Sequence, residues 1–217
     1  GLVHGGAASR RAHELQPGAA LSLAWRARLA DHLGTYSYEL ETPHAAFWLE
    51  DRRRLAAIAS ACAVATALPE REPMPGVYHG LCALLAALES EVWPAAYVMW
   101  ELGVLSALGY GLALDRCART GATEGLAYVS PRSGAAVTAE AAGDLAPRLL
   151  ALPGFLAGGD DFTDADIAAG LRLTAHFLKR DAFGIIHRDL PPARYRLADC
   201  FQAESAVSAE PDPEESA

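Results

Sequence analysis

Apolar and polar positions alternate from Ala19 to Ala30. Leu21, Leu23, Trp25, Ala27 and Leu29 stand on one parity, with Ser22, Ala24, Arg26 and Arg28 on the other. A period of two is that of a strand with one buried face. Pro17-Gly18 supplies the turn before it. Gly34 breaks the chain, and alternation resumes from Thr35 to Glu41 through Tyr36 and Tyr38; Leu2-Val3 reads as the end of an earlier strand. Two or three strands bury too little to stand alone. The chain starts with Gly rather than Met, so the pattern predicts further strand residues upstream.

Beyond residue 41 the period lengthens. Thr42-Pro43 has the form of an N-cap followed by proline at the first helical position, which predicts a helix running to about Leu68, where Pro69 stops it. A second helix is predicted from Pro75 to Glu89 and a third from Trp93-Pro94 to Leu108, ended by Gly109-Tyr110-Gly111. Three helices with short links predict an antiparallel bundle. Residues 115–143 are irregular and rich in turn formers. Asp160 to Asp166 places acids at a helix start, with the helix predicted to reach Phe183 and stop at Gly184. Pro191 to Phe201 reads as a last short helix, and no internal repeat is visible. The expected class is α+β, mainly α.

Composition changes little of this. With 52% hydrophobic and 21% charged residues, the 217-residue chain can build a core. The longest apolar run, Leu55 to Leu68, is too short and too rich in Ala to span a bilayer, and no signal peptide opens the chain. Cys62, Cys82, Cys117 and Cys200 form no CxxC pair, so reduced thiols in a cytoplasmic protein are expected, without membrane association.

Charge is more informative when divided. The net charge of -9 excludes a uniformly basic protein, yet residues 1–30 carry +3 and residues 172–196 carry +4. Between them residues 31–171 carry -10, and residues 197–217 hold six acids and no base. Residues 203–217, rich in Pro, Glu and Ser, are predicted to be a disordered acidic tail. The basic islands contain the candidate polyanion contacts. Arg10 and Arg11 follow a Gly-Gly turn, Arg26 and Arg28 share a strand face, and Arg172, His176, Lys179 and Arg180 fall on one helical face. Each group also reads as a merely solvated surface.

Other chemistry is weak. The seven histidines show no HExxH or HxH spacing, and no Ser or Cys sits in a nucleophile elbow. His176 with Asp181, or His187 with Asp189, form at most a hydrolase's base and orienter. Asp160, Asp161, Asp164 and Asp166 lack the spacing and final Glu of an EF-hand loop. Gly5-Gly6 and Gly158-Gly159 match no phosphate loop.

Several segments, taken in order, are similar to one family. They are Leu15-Gln16-Pro17-Gly18, Trp25-Arg26-Ala27-Arg28-Leu29 with Leu33-Gly34-Thr35, and Leu68-Pro69-Glu70-Arg71-Glu72-Pro73. Glu101-Leu102-Gly103-Val104-Leu105 through Leu108-Gly109-Tyr110-Gly111-Leu112 follow, then Asp115-Arg116-Cys117 and Tyr128-Val129-Ser130-Pro131-Arg132-Ser133-Gly134. Leu152-Pro153 through Phe155-Leu156-Ala157-Gly158-Gly159 come last. Together they resemble the bacterial RecO family of DNA repair proteins in its alphaproteobacterial form.

The resemblance implies an N-terminal OB-fold barrel, here partial over residues 1–42 with its first strands missing. It implies a helical domain over 43–202 that contains a small zinc-finger-like insertion at 115–143. The family's zinc form carries two CxxC pairs there. This chain keeps Cys117, with Thr120, Thr138 and Ala141 near the other three positions. One thiolate cannot hold a tetrahedral zinc, so the expectation is a metal-free insertion packed around Leu126, Tyr128 and Val137, and no cofactor. The implied function is non-enzymatic: binding single- and double-stranded DNA, annealing strands, and helping RecR and RecF load RecA onto DNA coated by single-strand-binding protein, whose acidic tail is also bound. That places the protein in the cytoplasm, associated with the nucleoid. Arg10, Arg11, Arg26, Arg28, Arg172, Lys179 and Arg180 are the expected DNA contacts, Arg26 and Arg28 foremost, presented by a strand that Trp25 and Leu29 pin from the inner side. The alternative is an interaction adaptor whose helices bind a partner peptide without DNA.

Overall fold

A computed structural model describes residues 2–3, 11–29 and 32–207. The first three strands, β1 (Leu2–Val3), β2 (Ala19–Arg26) and β3 (Thr35–Pro43), form one sheet in the order β1-β3-β2. β3 is parallel to β1 and antiparallel to β2, with a register shift between Ala20 and Leu21. Among the described residues this is an open three-stranded sheet rather than a closed barrel. Gly18, at the turn into β2, has φ +84, and a Cβ there would lie 2.3 Å from Cγ2 of Ile58. Glycine therefore lets the sheet approach the helical core.

The predicted helix start at Thr42-Pro43 is not observed. Thr42 pairs with Ala20, β3 continues through Pro43, and a 3-10 turn (His44–Trp48) follows. The first helix, α1 (Arg52–Val64), begins ten residues later than its predicted N-cap at Thr42, because Asp51 is the true cap, accepting from the Arg54 N–H at 2.9 Å. Strand pairing overrides the local Thr-Pro signal, and the signal that holds is Asp51.

The helices α2 (Pro75–Ala87) and α3 (Trp93–Ala107) lie within their predicted segments, each with proline in its first turn. α5 (Asp164–Phe177) starts with a capping box between Thr163 and Asp166. It does not run to Phe183 as an α-helix: residues Leu178–Phe183 are a π-helical turn ending at Gly184. α6 (Pro192–Val207) extends past Phe201 into the predicted tail, and 208–217 lie outside the described residues. Packing joins α1 to α6, α2 to α3, and α5 to both α3 and α6. The core is apolar, built around Ile58, Val98, Leu105, Phe177, Phe183 and Phe201.

One polar cluster crosses that core. Glu101 and Arg194 are 0% and 1% exposed and ion-paired, with Nη2 of Arg194 2.9 Å from Oε2 of Glu101. The same guanidinium donates to the Leu171 carbonyl at 2.7 Å, and the Thr174 hydroxyl donates to Glu101. The Tyr97 hydroxyl donates to Glu101 at 3.0 Å and lies 2.6 Å from the Ser60 hydroxyl. α1, α3, α5 and α6 thus meet in one network, and among the described residues no buried side-chain nitrogen or oxygen lacks a partner.

The 115–143 region is more ordered than its composition suggests. β4 (Leu126–Val129) pairs antiparallel with β5 (Ala136–Thr138) and with β6 (Leu150–Ala151), and α4 (Ala139–Ala142) is a single turn. Cys117, Val137 and Ala142 form a small core of their own, backed by Leu126 and Tyr128. No helix among the described residues is long and apolar enough to cross a membrane.

Candidate nucleic-acid interface

The β2–β3 register opposes Leu23 to Tyr38 and Trp25 to Tyr36. Because strand side chains alternate, one sheet face carries Leu23, Trp25, Tyr36 and Tyr38, and the other carries Ser22, Ala24 and Arg26 with Thr35, Ser37 and Glu39. The aromatic face is open: Trp25 is 45% exposed and Leu23 58%. Trp25 and Leu29 therefore do not pin the strand from a buried side, as the alternation predicts, since no layer covers them among the described residues. Trp25 is held at its edge instead, its indole N–H donating to the Leu33 carbonyl at 3.3 Å.

Arg11 and Arg26 come together although fifteen residues separate them in the chain. Both line a recess of about 450 Å³ with Tyr36, Ser37, Tyr38 and Thr35. The Arg11 guanidinium lies 5.0 Å over the Tyr38 ring, and the Tyr38 hydroxyl donates to the Arg11 carbonyl at 3.2 Å. Arg11 also pairs with Glu14 at 2.7 Å; that hydrogen bond raises the Arg11 pKa and lowers that of Glu14. Arg26, the last residue of β2, makes no ion pair among the described residues. A cation without a carboxylate partner, a second stacked on tyrosine and two exposed hydroxyl side chains suit a phosphate beside a base.

The other predicted contacts separate. Arg10 lies outside the described residues. Arg28 is not on a strand face with Arg26, because β2 ends at Arg26 and Arg28 sits in the following bend. Arg172 and Lys179 are exposed and make no ion pair among the described residues. Arg180 is occupied: it holds Asp181 at 2.6 and 2.7 Å, donates to the carbonyls of Pro131 and Arg132, and stacks 4.9 Å from the Phe177 ring. His176 lies 3.1 Å from the same Pro131 carbonyl. The π turn from Leu178 also shifts Lys179 and Arg180 off the single α-helical face that their spacing predicts. His176 and Arg180 thus clamp the 130–134 loop to α5, which brings exposed Arg132 beside Lys179's helix.

Sequence reasoning missed the tyrosines as partners of Arg11, and it missed Arg132. Only the alternation through Tyr36 and Tyr38 hinted at the first. For the second, no local signal exists. Several arginines are structural: Arg54 bonds Asp51, Glu91 and the Leu88 carbonyl, and Arg53 bonds Asp164.

The residues around Cys117 do not fit a zinc ion. Its sulfur accepts from the Thr138 N–H at 3.4 Å, and hydrogen bonding by Thr120 and then Thr138 lowers the thiol pKa from 9.0 to about 6. Thr120 and Thr138 thus solvate the sulfur where the family's zinc form would place thiolates. Among the described residues no three His, Cys, Asp or Glu side chains converge on a point.

Comparison with known proteins adds the following. The family pattern described as Recombination protein O C terminal matches residues 49–189. A protein of Rhodospirillum centenum named DNA repair protein RecO is 47% identical over 211 residues, covering 96% of this chain and 84% of the relative. A DNA repair protein RecO of Ruegeria is 48% identical over 204 residues, covering 93% and 85%. One of Gluconacetobacter diazotrophicus is 47% identical over 220 residues, covering 98% and 87%. No solved structure matches the chain.

Proposed function

Since the chain belongs to the RecO family of DNA repair proteins, we propose that it is a non-enzymatic recombination mediator that binds single- and double-stranded DNA and anneals complementary strands. It then helps RecR and RecF load RecA onto DNA coated by single-strand-binding protein, whose acidic tail meets the helical part. Residues 1–42 belong to the nucleic-acid module, residues 43–202 to the helical one. No bond is made or broken: annealing and loading exchange binding partners, so phosphate contacts and stacking suffice.

The observation that carries this reading is that Arg11 and Arg26 line one recess together with the exposed hydroxyl side chains Thr35 and Ser37. Cations there release counterions from a phosphate chain, and Trp25, 45% exposed, offers a ring on which any base can stack. The test is Arg11→Ala with Arg26→Ala, assayed by anisotropy with labelled oligonucleotides over a salt series. Binding should weaken for every sequence, and the salt slope should shallow by about 0.7 for each phosphate that is no longer neutralised. An unchanged affinity and slope, with an intact fold, would remove the DNA site from this sheet.

A further inference from the structure

An apolar groove lies elsewhere, between α2 and α3, and takes no part in that reading. It measures about 910 Å³. Val77, Leu84, Trp100 and Val104 form its buried floor. α2 contributes Gly76, Gly80, Ala83 and Ala87, spaced by four and three, while α3 contributes Ala96, Met99, Gly103 and Ala107 on the same helical repeat. Both walls are therefore low. A Cβ added at Gly76 or Gly103 would meet nothing within 4 Å. The lining is apolar and open to solvent, with Val92 57% and Met99 56% exposed. From Gly76 to Ala87 the groove runs about 16 Å, the length of three helical turns.

Charge selects the occupant. Asp160 is the only charged residue lining the groove among the described residues. Glu70 and Glu72 stand just before Pro73 at one end, and Glu89 and Glu91 lie in the turn between the two helices at the other. Against these acids and Asp161 stand two cations: Arg71, and Arg54, which pairs with Glu91 and with Asp51. Such a rim repels nucleic acid and acidic peptides alike, the chain's own acidic residues 203–217 included. The chain's own helix α5 cannot serve as the occupant because Ile167, Leu171 and Phe177 bury its apolar face.

We propose that the α2–α3 groove docks an amphipathic helix of a partner protein, about three turns long, apolar on the docked face and lysine- or arginine-rich at its flanks. The small residues admit the helix backbone closely, Trp100 and Val104 receive its apolar side chains, and the acidic rim orients it. This surface stands or falls apart from the DNA reading, since the sheet shares none of its residues.

The test uses the full 217-residue chain and two fluorescein-labelled helical peptides of about 14 residues. Both have Leu and Ala on one face; one carries Lys at its flanks and the other Glu. The lysine peptide should bind at least tenfold more tightly than the glutamate peptide, with an affinity that falls as salt rises. Gly103→Leu fills the groove, keeps the melting temperature because its Cβ has open space and leucine favours helix, and should weaken binding at least tenfold. Ala107→Arg, at an exposed wall position, should do the same. Asp160→Asn with Glu72→Gln should cost a few-fold and flatten the salt dependence. Equal binding of both peptides, no binding of the lysine peptide, or indifference to Gly103→Leu and Ala107→Arg would overturn the proposal. So would self-association of the chain that Gly103→Leu abolishes, because the occupant would then be a second copy.

Discussion

Arg194 and Glu101 show how much one side chain's meaning depends on where it is buried. On the surface such a pair adds little; here both charges are inside the core and share partners with Thr174 and Tyr97. Removing one partner strands the other. Glu101→Gln should lower stability in urea melts by about 3–5 kcal/mol, whereas Glu101→Leu combined with Arg194→Met should recover much of that loss. Cys117 gives a pH prediction. Its folded pKa of about 6 lies below the ordinary 9.0, so the folded state favours the thiolate. The stabilisation is complete above pH 9 and is lost as pH falls through 6. Cys117→Ala should flatten the stability profile across that window, measured by denaturant melts at a series of pH values. Neither residue's role is visible in the sequence: Glu101 enters only within a segment of the family resemblance, and Cys117 as what is left of a cysteine set.

Among the elements, helix and strand periods were readable wherever packing follows them. α2 and α3 lie in the predicted segments, because proline starts each and apolar faces bury against one another. The start of α1 was misplaced because a Thr-Pro pair offers a cap while the sheet offers Thr42 a strand partner, and the partner wins. α5 departs from its pattern at the π turn, where Arg180 turns onto the 130–134 loop. This separates two kinds of basic residue along α5 and the π turn that follows it. Arg172→Ala with Lys179→Ala should leave stability unchanged and shallow the salt slope of DNA binding if α5 contributes to it. Arg180→Ala should instead speed amide exchange in residues 130–134, since its guanidinium holds those carbonyls. Thr163→Ala removes the α5 cap and should cost about 1 kcal/mol in a thermal melt.

At the scale of the molecule, the helices share one core and one polar network, so they should melt together. A chain of residues 43–207 should unfold in one cooperative, helix-dominated transition by circular dichroism and calorimetry. Its midpoint should fall below that of the full chain, because Ile58, 2% exposed with the sheet in place, loses the cover of the Gly18 turn. A broad, non-cooperative melt would mean that the sheet supplies part of the core.

What the sequence determined by itself was local: strand alternation around Trp25 and Tyr36, proline-led helices, acids at the start of α5, and two basic islands in an acidic chain. These are properties of neighbours along the chain, where period and capping act over a few residues. The ordered motifs from Leu15 to Gly159 also carried the family resemblance. Only the tertiary structure decided which charges remain available. It paired Arg194 with Glu101 across 93 residues, committed Arg180 to a loop 49 residues away, and brought Arg11 to Arg26. It also left α2 and α3 with an acidic-rimmed groove. Burial and partner choice depend on distances between segments remote in sequence, and those distances exist only once the chain is folded.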